Sequence, residues 1–196
     1  VTPVAAFDEA WALEFLPGTP WLALTQRPGT LVLFDPATST RLRVDGVPRV
    51  VDAGQGGLGD LVAGPTFATD QTVYLSWVEA GQGGTGAAVG RARLVVEQDA
   101  ARLDGLEVLW RQAPKTSGAG HFAHRLAFSP DGQYLFVSSG DRQKMQPAQD
   151  LDVTLGKIVR LTPSGEPAPG NPFADRGGVT AQVWSYGHRN PLGLAF

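Results

Sequence analysis

The stretch Leu126-Ala-Phe-Ser-Pro-Asp-Gly-Gln-Tyr-Leu-Phe-Val-Ser138 places a tight Pro-Asp-Gly turn between two short apolar segments. A parallel copy is Leu13-Glu-Phe-Leu-Pro-Gly-Thr-Pro-Trp-Leu-Ala-Leu-Thr25, and a weaker one runs from Leu61 to Leu75. Each copy predicts a β-hairpin, because alternating apolar residues flank residues that favour turns. A repeated hairpin is typical of a β-propeller, where it forms the inner part of each blade. The terminal Leu194-Ala-Phe196 looks like the start of a fourth copy.

Further segments with period-two alternation also predict an all-β fold. They are Trp21–Thr25, Thr30–Phe34, Thr72–Trp77, Val89–Val96, Tyr134–Ser138 and Lys157–Leu161. Only Val4–Leu13 has a pattern compatible with a short helix. The copies are unevenly spaced, so the loops between blades are expected to differ in length.

The number of copies suggests that the fold is incomplete. Propellers close with roughly four to eight blades, whereas these 196 residues contain about three copies of the hairpin. An open arc would leave apolar faces and strand edges uncovered. We therefore expect residues 1–196 to be the N-terminal part of a single propeller domain, with the remaining blades needed to close it. An irregular β-sandwich, complete in itself, is the alternative.

Composition excludes several classes of partner. The net charge is −3 and only 18% of residues are charged, so no basic surface for nucleic acid or an anionic membrane is expected. No apolar run approaches the eighteen residues of a membrane span. Cysteine is absent, which excludes disulfides, thiolate metal sites and cysteine nucleophiles. No charged-then-apolar leader begins at Val1, so we expect that an export signal was removed or never existed.

The chain has three histidines, His121, His124 and His188, all in glycine-rich or polar segments. His121 precedes a predicted strand, and loops at strand ends commonly carry functional groups. A neutral imidazole there can accept a proton near physiological pH. A histidine that only caps backbone carbonyls is the alternative. A zinc site built from the three histidines has weak support, because no cysteine or HExxH pattern accompanies them.

The turn after His188 carries Arg189 and Asn190. The fixed fork of donors on arginine suits a carboxylate or a developing oxyanion, and asparagine adds one donor and one acceptor. The triplet therefore suits an oxidised, anionic organic cofactor, although a salt bridge with an Asx-type turn is the alternative. Gln55 lies in Gly54-Gln-Gly-Gly57, where an amide can approach a ligand closely.

The acidic residues give less information. Asp141, Asp150 and Asp152 do not form an Asp-x-Asp-x-Asp-Gly calcium loop, so we interpret them as structural. No serine elbow and no pair of glycosidase-like carboxylates is present, which gives hydrolysis little support.

A series of short motifs follows along the chain: Glu14-Phe-Leu-Pro-Gly18, Thr25-Gln-Arg-Pro-Gly29, Gly54-Gln-Gly-Gly-Leu58, Phe67-Ala-Thr69, Val73-Tyr-Leu-Ser76, Gly120-His-Phe-Ala-His-Arg-Leu126, Ser139-Gly-Asp-Arg142, Ala148-Gln-Asp-Leu151, Gly156-Lys-Ile-Val-Arg160, Asn171-Pro-Phe173 and Tyr186-Gly-His-Arg-Asn-Pro191. In this order, the motifs resemble those of the soluble quinoprotein sugar dehydrogenases, the aldose sugar dehydrogenase and soluble glucose dehydrogenase family. The chain resembles about the N-terminal half of such a protein.

The resemblance implies a periplasmic or secreted six-bladed propeller that uses pyrroloquinoline quinone (PQQ) and Ca²⁺. Such an enzyme oxidises the C1 hydroxyl of an aldose to a lactone and passes the electrons to an external acceptor. By the same resemblance, His121 is the general base and contacts the sugar, and Arg189 lies beside the quinone oxygens. Gln55 contacts the cofactor and the substrate, and Asn190 contacts the cofactor. Gln146 falls near a substrate-contacting position.

The resemblance also implies Ca²⁺ ligands beyond Phe196 and therefore an inactive partial chain, with no metal ligand in residues 1–196. This sequence departs from the family where Ala123 and His124 replace two glycines and Leu192 replaces a glutamine. An imidazole at position 124 could crowd the pocket of the base or shift its proton affinity. These replacements motivate an alternative, a propeller without cofactor that acts as a binding or interaction module. A sugar-lactone hydrolase with a central Ca²⁺ is a third, less supported hypothesis.

Overall fold

The structure, a computed structural model, describes residues 3–196 as three successive meanders of four antiparallel strands. The first meander contains β1 (Ala10–Phe15), β2 (Leu22–Gln26), β3 (Thr30–Asp35) and β4 (Thr40–Asp45). The second contains β5 (Leu58–Ala63), β6 (Thr72–Gly81), β7 (Gly84–Val96) and β8 (Ala101–Arg111). The third contains β9 (Ala123–Phe128), β10 (Leu135–Ser139), β11 (Lys157–Leu161) and β12 (Val183–Tyr186). The helices are short: α1 (Phe67–Asp70) and the 3-10 turns Gln146–Gln149, Ala174–Arg176 and Gly178–Gln182.

The meanders are arranged with their first strands together. β5 contacts both β1 and β9, whereas β4 and β8 pair at the outer edge through a short parallel ladder at Val44 and Asp45. Two apolar cores lie between neighbouring meanders. Leu33, Leu75 and Trp77 belong to the first core, and Val89 and Val159 belong to the second. Burial of these faces joins the meanders side by side, as in the blades of a propeller.

The all-β prediction is confirmed, and each predicted strand overlaps an observed one. The three hairpin copies form the pairs β1–β2, β5–β6 and β9–β10, which begin each meander. The helix prediction for Val4–Leu13 is wrong. β1 begins at Ala10 and pairs with β2, so pairing with a neighbouring strand overrides the weak local period there. None of the helices in residues 3–196 is long and apolar enough to cross a membrane.

Large apolar side chains are exposed at both ends of the array. Phe15 on β1 is 72% exposed at one end. At the other end, Phe196 is 71% exposed and packs edge-on against Phe136, which also contacts Trp184. Both ends therefore present surfaces of the kind that neighbouring blades cover inside the array.

Candidate active site

Strand topology explains why distant residues meet at one edge of the third meander. In an antiparallel sheet, the start of one strand and the end of the next lie at the same edge. The start of β9, the end of β10 and the end of β12 therefore lie close together. His121 lies two residues before β9, Asp141 lies two residues after β10, and Arg189 lies three residues after β12. The start of β5 brings the loop that carries Gln55 to the same place, because β5 contacts β9.

A cavity of about 590 Å³ opens at this edge. Its lining includes a guanidinium, imidazoles and amides. The lining residues are His121, Asp141, Gln143, Met145, Ala148, Gln149, Gly187, His188 and Arg189. The structure thus brings His121 and Arg189, which lie 68 positions apart in the numbering, into one cavity.

His121 and Asp141 form a hydrogen-bonded pair, with 2.8 Å between His121 Nδ1 and Asp141 Oδ1. The Asp141 side chain is only 3% exposed, and its Oδ1 also accepts the backbone N–H of Gln143 at 2.8 Å. A carboxylate only accepts hydrogen bonds, so Nδ1 carries the shared proton and Nε2 keeps a lone pair. Asp141 thereby selects the tautomer in which His121 can act as a base. Asp141 therefore contacts His121 at the cavity as well as holding its own turn.

The backbone of His121 is held by Gln55. The His121 N–H donates to Gln55 Oε1 at 2.7 Å, and the Gln55 N–H donates to the Ala119 carbonyl at 2.8 Å. A side chain at Gly54 would overlap the Ala119 carbonyl, so glycine permits this close approach of the two loops. The oxygen of the Gln55 amide is therefore used inside the protein. Gln55 is exposed and does not line the cavity, and its NH₂ group has no hydrogen-bond partner within residues 3–196.

The turn of Arg189 is tied to the same pair, because the Asp141 N–H donates to the Arg189 carbonyl at 2.8 Å. The Arg189 residue is exposed, and no carboxylate in residues 3–196 forms an ion pair with its guanidinium. Asn190 does not line the cavity. Its Oδ1 is buried near Gly140 and has no hydrogen-bond partner in the described part of the chain.

Gln146 does not line the cavity either, although it is exposed at the start of its 3-10 turn. Gln143 and Gln149 line it instead. His188 also lines the cavity and lies 2.8 Å from Ser185 Oγ through Nε2. Burial and the nearby Lys157 charge lower the pKa of His188, which favours the neutral imidazole. The sequence does not distinguish these neighbouring glutamines, but His188 was visible in the His-Arg-Asn triplet.

A buried lysine supports the part of the cavity wall that Ala148 and Gln149 form. The Lys157 ammonium is fully buried and donates to the carbonyls of Pro147 at 2.8 Å and Ala148 at 3.1 Å. It also donates to the Leu155 carbonyl at 2.6 Å. Burial lowers the pKa of Lys157 to about 8, and its three donors are all satisfied. The ammonium therefore holds the turn that contributes Ala148 and Gln149 to the cavity.

His124 lies outside the cavity, so it does not crowd the pocket of His121. It is 1% exposed, and its Nδ1 lies 2.9 Å from Ser76 Oγ. The Trp11 ring stacks parallel to the imidazole with 6.2 Å between centroids. Gly59 lies against the ring, and a side chain at that position would overlap it. Because His121 and His124 occupy separate environments, the zinc hypothesis has no structural support, and residues 3–196 contain no cluster of three candidate metal ligands.

The burial of His124 predicts a loss of stability in weak acid. Burial, with a smaller contribution from the Arg125 charge, lowers the pKa of His124 from 6.5 to about 3. Below pH 6.5 the unfolded histidine binds a proton that the folded one does not. The contribution of the neutral His124 to the free energy of unfolding is therefore complete above pH 6.5 and is lost as the pH falls towards 3. Between pH 7 and pH 5 we expect a loss of about 2 kcal/mol from this residue.

Urea denaturation at the two pH values measures this loss. His124→Gln should lose about 2 kcal/mol less than the parent over the same interval. Burial raises the pKa of Asp60 on β5, so this carboxyl group changes the free energy of unfolding with pH in the opposite direction. Asp60 is present in both proteins, so its contribution cancels when they are compared. Equal losses in parent and variant would contradict a buried neutral imidazole.

The meanders and the cavity define the class of protein. The protein is an all-β protein in which a hydrogen-bonded His–Asp pair and an exposed arginine line one cavity on the loops at one sheet edge. Comparison with known proteins then identifies the family. The Glucose / Sorbosone dehydrogenase family matches residues 7–196, and the chain belongs to this family.

Among its relatives, aldose sugar dehydrogenase YliI of Escherichia coli K12 is 42% identical over 189 residues, which is 96% of this chain and 50% of that protein. The crystal structure of the E. coli soluble aldose sugar dehydrogenase, in its apo form, has a TM-score of 0.88 at 43% identity. It is matched over 96% of this chain and 54% of that one. The PQQ-bound aldose sugar dehydrogenase of Streptomyces coelicolor has a TM-score of 0.82 at 31% identity, over 97% and 54% of the two chains.

The chain therefore spans about half the length of the relatives it matches. The architecture is propeller-like, as in these neighbours.

Proposed function

We propose that this chain supplies the base and part of the cofactor site of a PQQ-dependent aldose dehydrogenase, which oxidises the C1 hydroxyl of a sugar to a lactone. The observation that carries the proposal is the His121–Asp141 pair beside Arg189 in one cavity. Membership of the family and the PQQ-bound relative support the cofactor and the substrate class.

The donor set of the cavity fits an anionic quinone. PQQ carries carboxylates, and Arg189 offers a guanidinium that has no carboxylate partner in the described residues. The Gln55 NH₂ group and the Gln149 side chain are further candidate contacts for the cofactor or the sugar. We also keep Asn190 as a proposed cofactor contact, because its buried Oδ1 lacks a donor within residues 3–196.

The residues of this chain handle the proton of the reaction. His121 Nε2 accepts the proton from the C1 hydroxyl, and Asp141 stabilises the imidazolium that results. Gln55 fixes the backbone that carries the imidazole. PQQ, when bound, supplies the electrophilic carbonyl that takes the hydride from C1, and an external acceptor then receives the electrons.

Calcium does not fit the residues described here, because residues 3–196 contain no cluster of three candidate ligands. We therefore derive no step through Ca²⁺ and propose that its ligands lie outside this chain. We further propose that residues 1–196 are the N-terminal part of a six-bladed propeller. The exposed apolar surfaces at Phe15 and Phe196 are consistent with coverage by further blades. The partial chain is then inactive alone, and "full-length protein" below means the polypeptide with all blades.

We also propose a periplasmic or secreted location, based on the resemblance to the family; cell fractionation with antibody detection tests it. The alternative of a cofactor-free binding module is not favoured. It was motivated by the replacements at His124 and Leu192, and neither residue lines the cavity.

Reconstitution tests the proposed function. The full-length apo-protein should bind PQQ in the presence of Ca²⁺, as seen in its absorption spectrum, and should then reduce a redox dye with several aldoses as substrates. A sugar alcohol of similar size without an anomeric hydroxyl is the matched control and should give no reduction. PQQ binding without turnover on any aldose would contradict the substrate class. Failure to bind PQQ would contradict the cofactor.

A further inference from the structure

Arg142 is an arginine buried without an acidic partner. It is 1% exposed, and no carboxylate in the described part of the chain forms an ion pair with it. Burying a guanidinium is costly unless its donors are satisfied. Burial lowers the pKa of Arg142 to about 10, so the group is still a cation at neutral pH. Its donors must therefore be satisfied by neutral acceptors.

Two of the four acceptors lie in the loop that carries His121, and the other two belong to Thr85. Nε donates to the Gly120 carbonyl at 3.0 Å, and Nη2 donates to the Gly118 carbonyl at 2.6 Å. Nη1 donates to the Thr85 carbonyl on β7 at 2.5 Å. The guanidinium carbon also lies 3.7 Å from the centroid of the Phe122 ring. A single planar group thus connects β7 with the residues on both sides of His121.

The backbone of Arg142 adds a further contact, because its N–H donates to the His121 carbonyl at 3.2 Å. The loop needs such support. Residues 117–120 form no strand or helix and include two glycines, and His121 has a left-handed φ of 52°. For a residue other than glycine this conformation costs about 1 kcal/mol or more. Fixed neighbours are therefore required to hold the imidazole towards Asp141.

We propose that Arg142 is a positioning residue for His121: its guanidinium fixes the carbonyls of Gly118 and Gly120 and thereby holds the imidazole against Asp141. The effect of Arg142 on turnover rests on the proposed function of His121 as the base. Its effect on the imidazole does not, and can be measured without cofactor or sugar.

The test compares Arg142→Met with the parent in the full-length protein. Met keeps the length and apolar contacts of the side chain and removes all its donors. In apo-protein labelled with ¹⁵N-histidine, the parent should show a His121 imidazole with its proton on Nδ1. His121→Ala identifies the signal among three histidines. In Arg142→Met the preference for this tautomer should be lost. In the PQQ-loaded enzyme kcat should fall by about 10²-fold with little change in KM.

Arg160→Met is the matched control. Arg160 also donates to a backbone carbonyl, that of Pro169 at 2.9 Å, and stacks on Trp184. It does not line the cavity, so its removal should leave the His121 signal and kcat unchanged. Circular dichroism and thermal melting check that each variant folds.

A parent-like His121 signal and kcat in Arg142→Met would overturn the proposal. If that variant does not fold, Arg142→Lys decides, since one ammonium cannot span both sets of carbonyls. It should show an intermediate His121 signal and a roughly 10-fold lower kcat, and parent-like values would overturn the proposal. If His121→Ala leaves turnover unchanged, the assignment of the base fails. The spectrum of apo Arg142→Met still tests the positioning role.

Discussion

Replacement of His121 by Gln is expected to lower kcat of the reconstituted full-length enzyme by about 10³-fold, within the range for loss of a general base. Gln keeps a polar group near Asp141 but cannot accept and hold a proton. PQQ affinity should change little, because the proposed anion contact is Arg189. Steady-state kinetics with one aldose and a PQQ titration separate the two effects. A kcat within about 3-fold of the parent value, measured at a saturating concentration of the aldose, would contradict the assignment of His121 as the base.

Asp141→Asn tests the other half of the pair and should lower kcat by about 10²-fold. The Asn NH₂ group can donate to Nδ1 and so favour the tautomer with a protonated Nε2, which cannot act as a base. Asp131→Asn is the matched control. Like Asp141, Asp131 accepts the backbone N–H two residues later, but it lies on a surface turn outside the cavity. The control should keep parent-like kinetics; equal losses in both variants would indicate a general effect of lost turn contacts.

Gly59→Ala is expected to destabilise the fold by about 3 kcal/mol. An added methyl group would overlap the His124 ring and lie 2.8 Å from Ser76 Oγ. Both neighbours are buried and held by hydrogen bonds, so they cannot move aside at low cost. Urea denaturation of the full-length protein at pH 7 measures the change.

A second substitution should partly reverse this effect. His124 has a left-handed φ of 52°, so His124→Gly removes the ring and also relieves the backbone. In that background Gly59→Ala should cost about 1 kcal/mol or less, which gives an interaction free energy of about 2 kcal/mol between the two positions. Gly193→Ala is the control, since open space surrounds Gly193. Additive effects of Gly59→Ala and His124→Gly would contradict a direct clash.

The backbone is informative at the two positions where the resemblance implies glycines. Ala123 and His124 both have left-handed φ angles, 59° and 52°. Glycine adopts that conformation without strain, which is consistent with glycines at these positions. This chain accommodates a bulky residue at 124 because Gly59 on the facing strand leaves space for it. The replacement therefore affects the packing between meanders and leaves the cavity of His121 open.

The hairpins could be predicted from sequence because their signals are local. Alternation and turn residues within a dozen positions specify a hairpin such as Leu126–Ser138 in any context. The strands β4 and β12 were not predicted. β4 alternates between polar and apolar residues, but only two apolar residues, Leu42 and Val44, carry the signal. β12 has four residues, of which only Val183 is buried.

By itself the sequence determined an all-β fold with repeated hairpins, and it identified His121 and Arg189 as the residues suited to the chemistry. Only the tertiary structure decided that Asp141 is the partner of His121, that Gln55 holds its backbone, and that His124 faces away. Side-chain direction depends on backbone dihedrals and on packing between meanders. The left-handed φ angles at His121, Ala123 and His124 help turn two imidazoles only three residues apart into different environments.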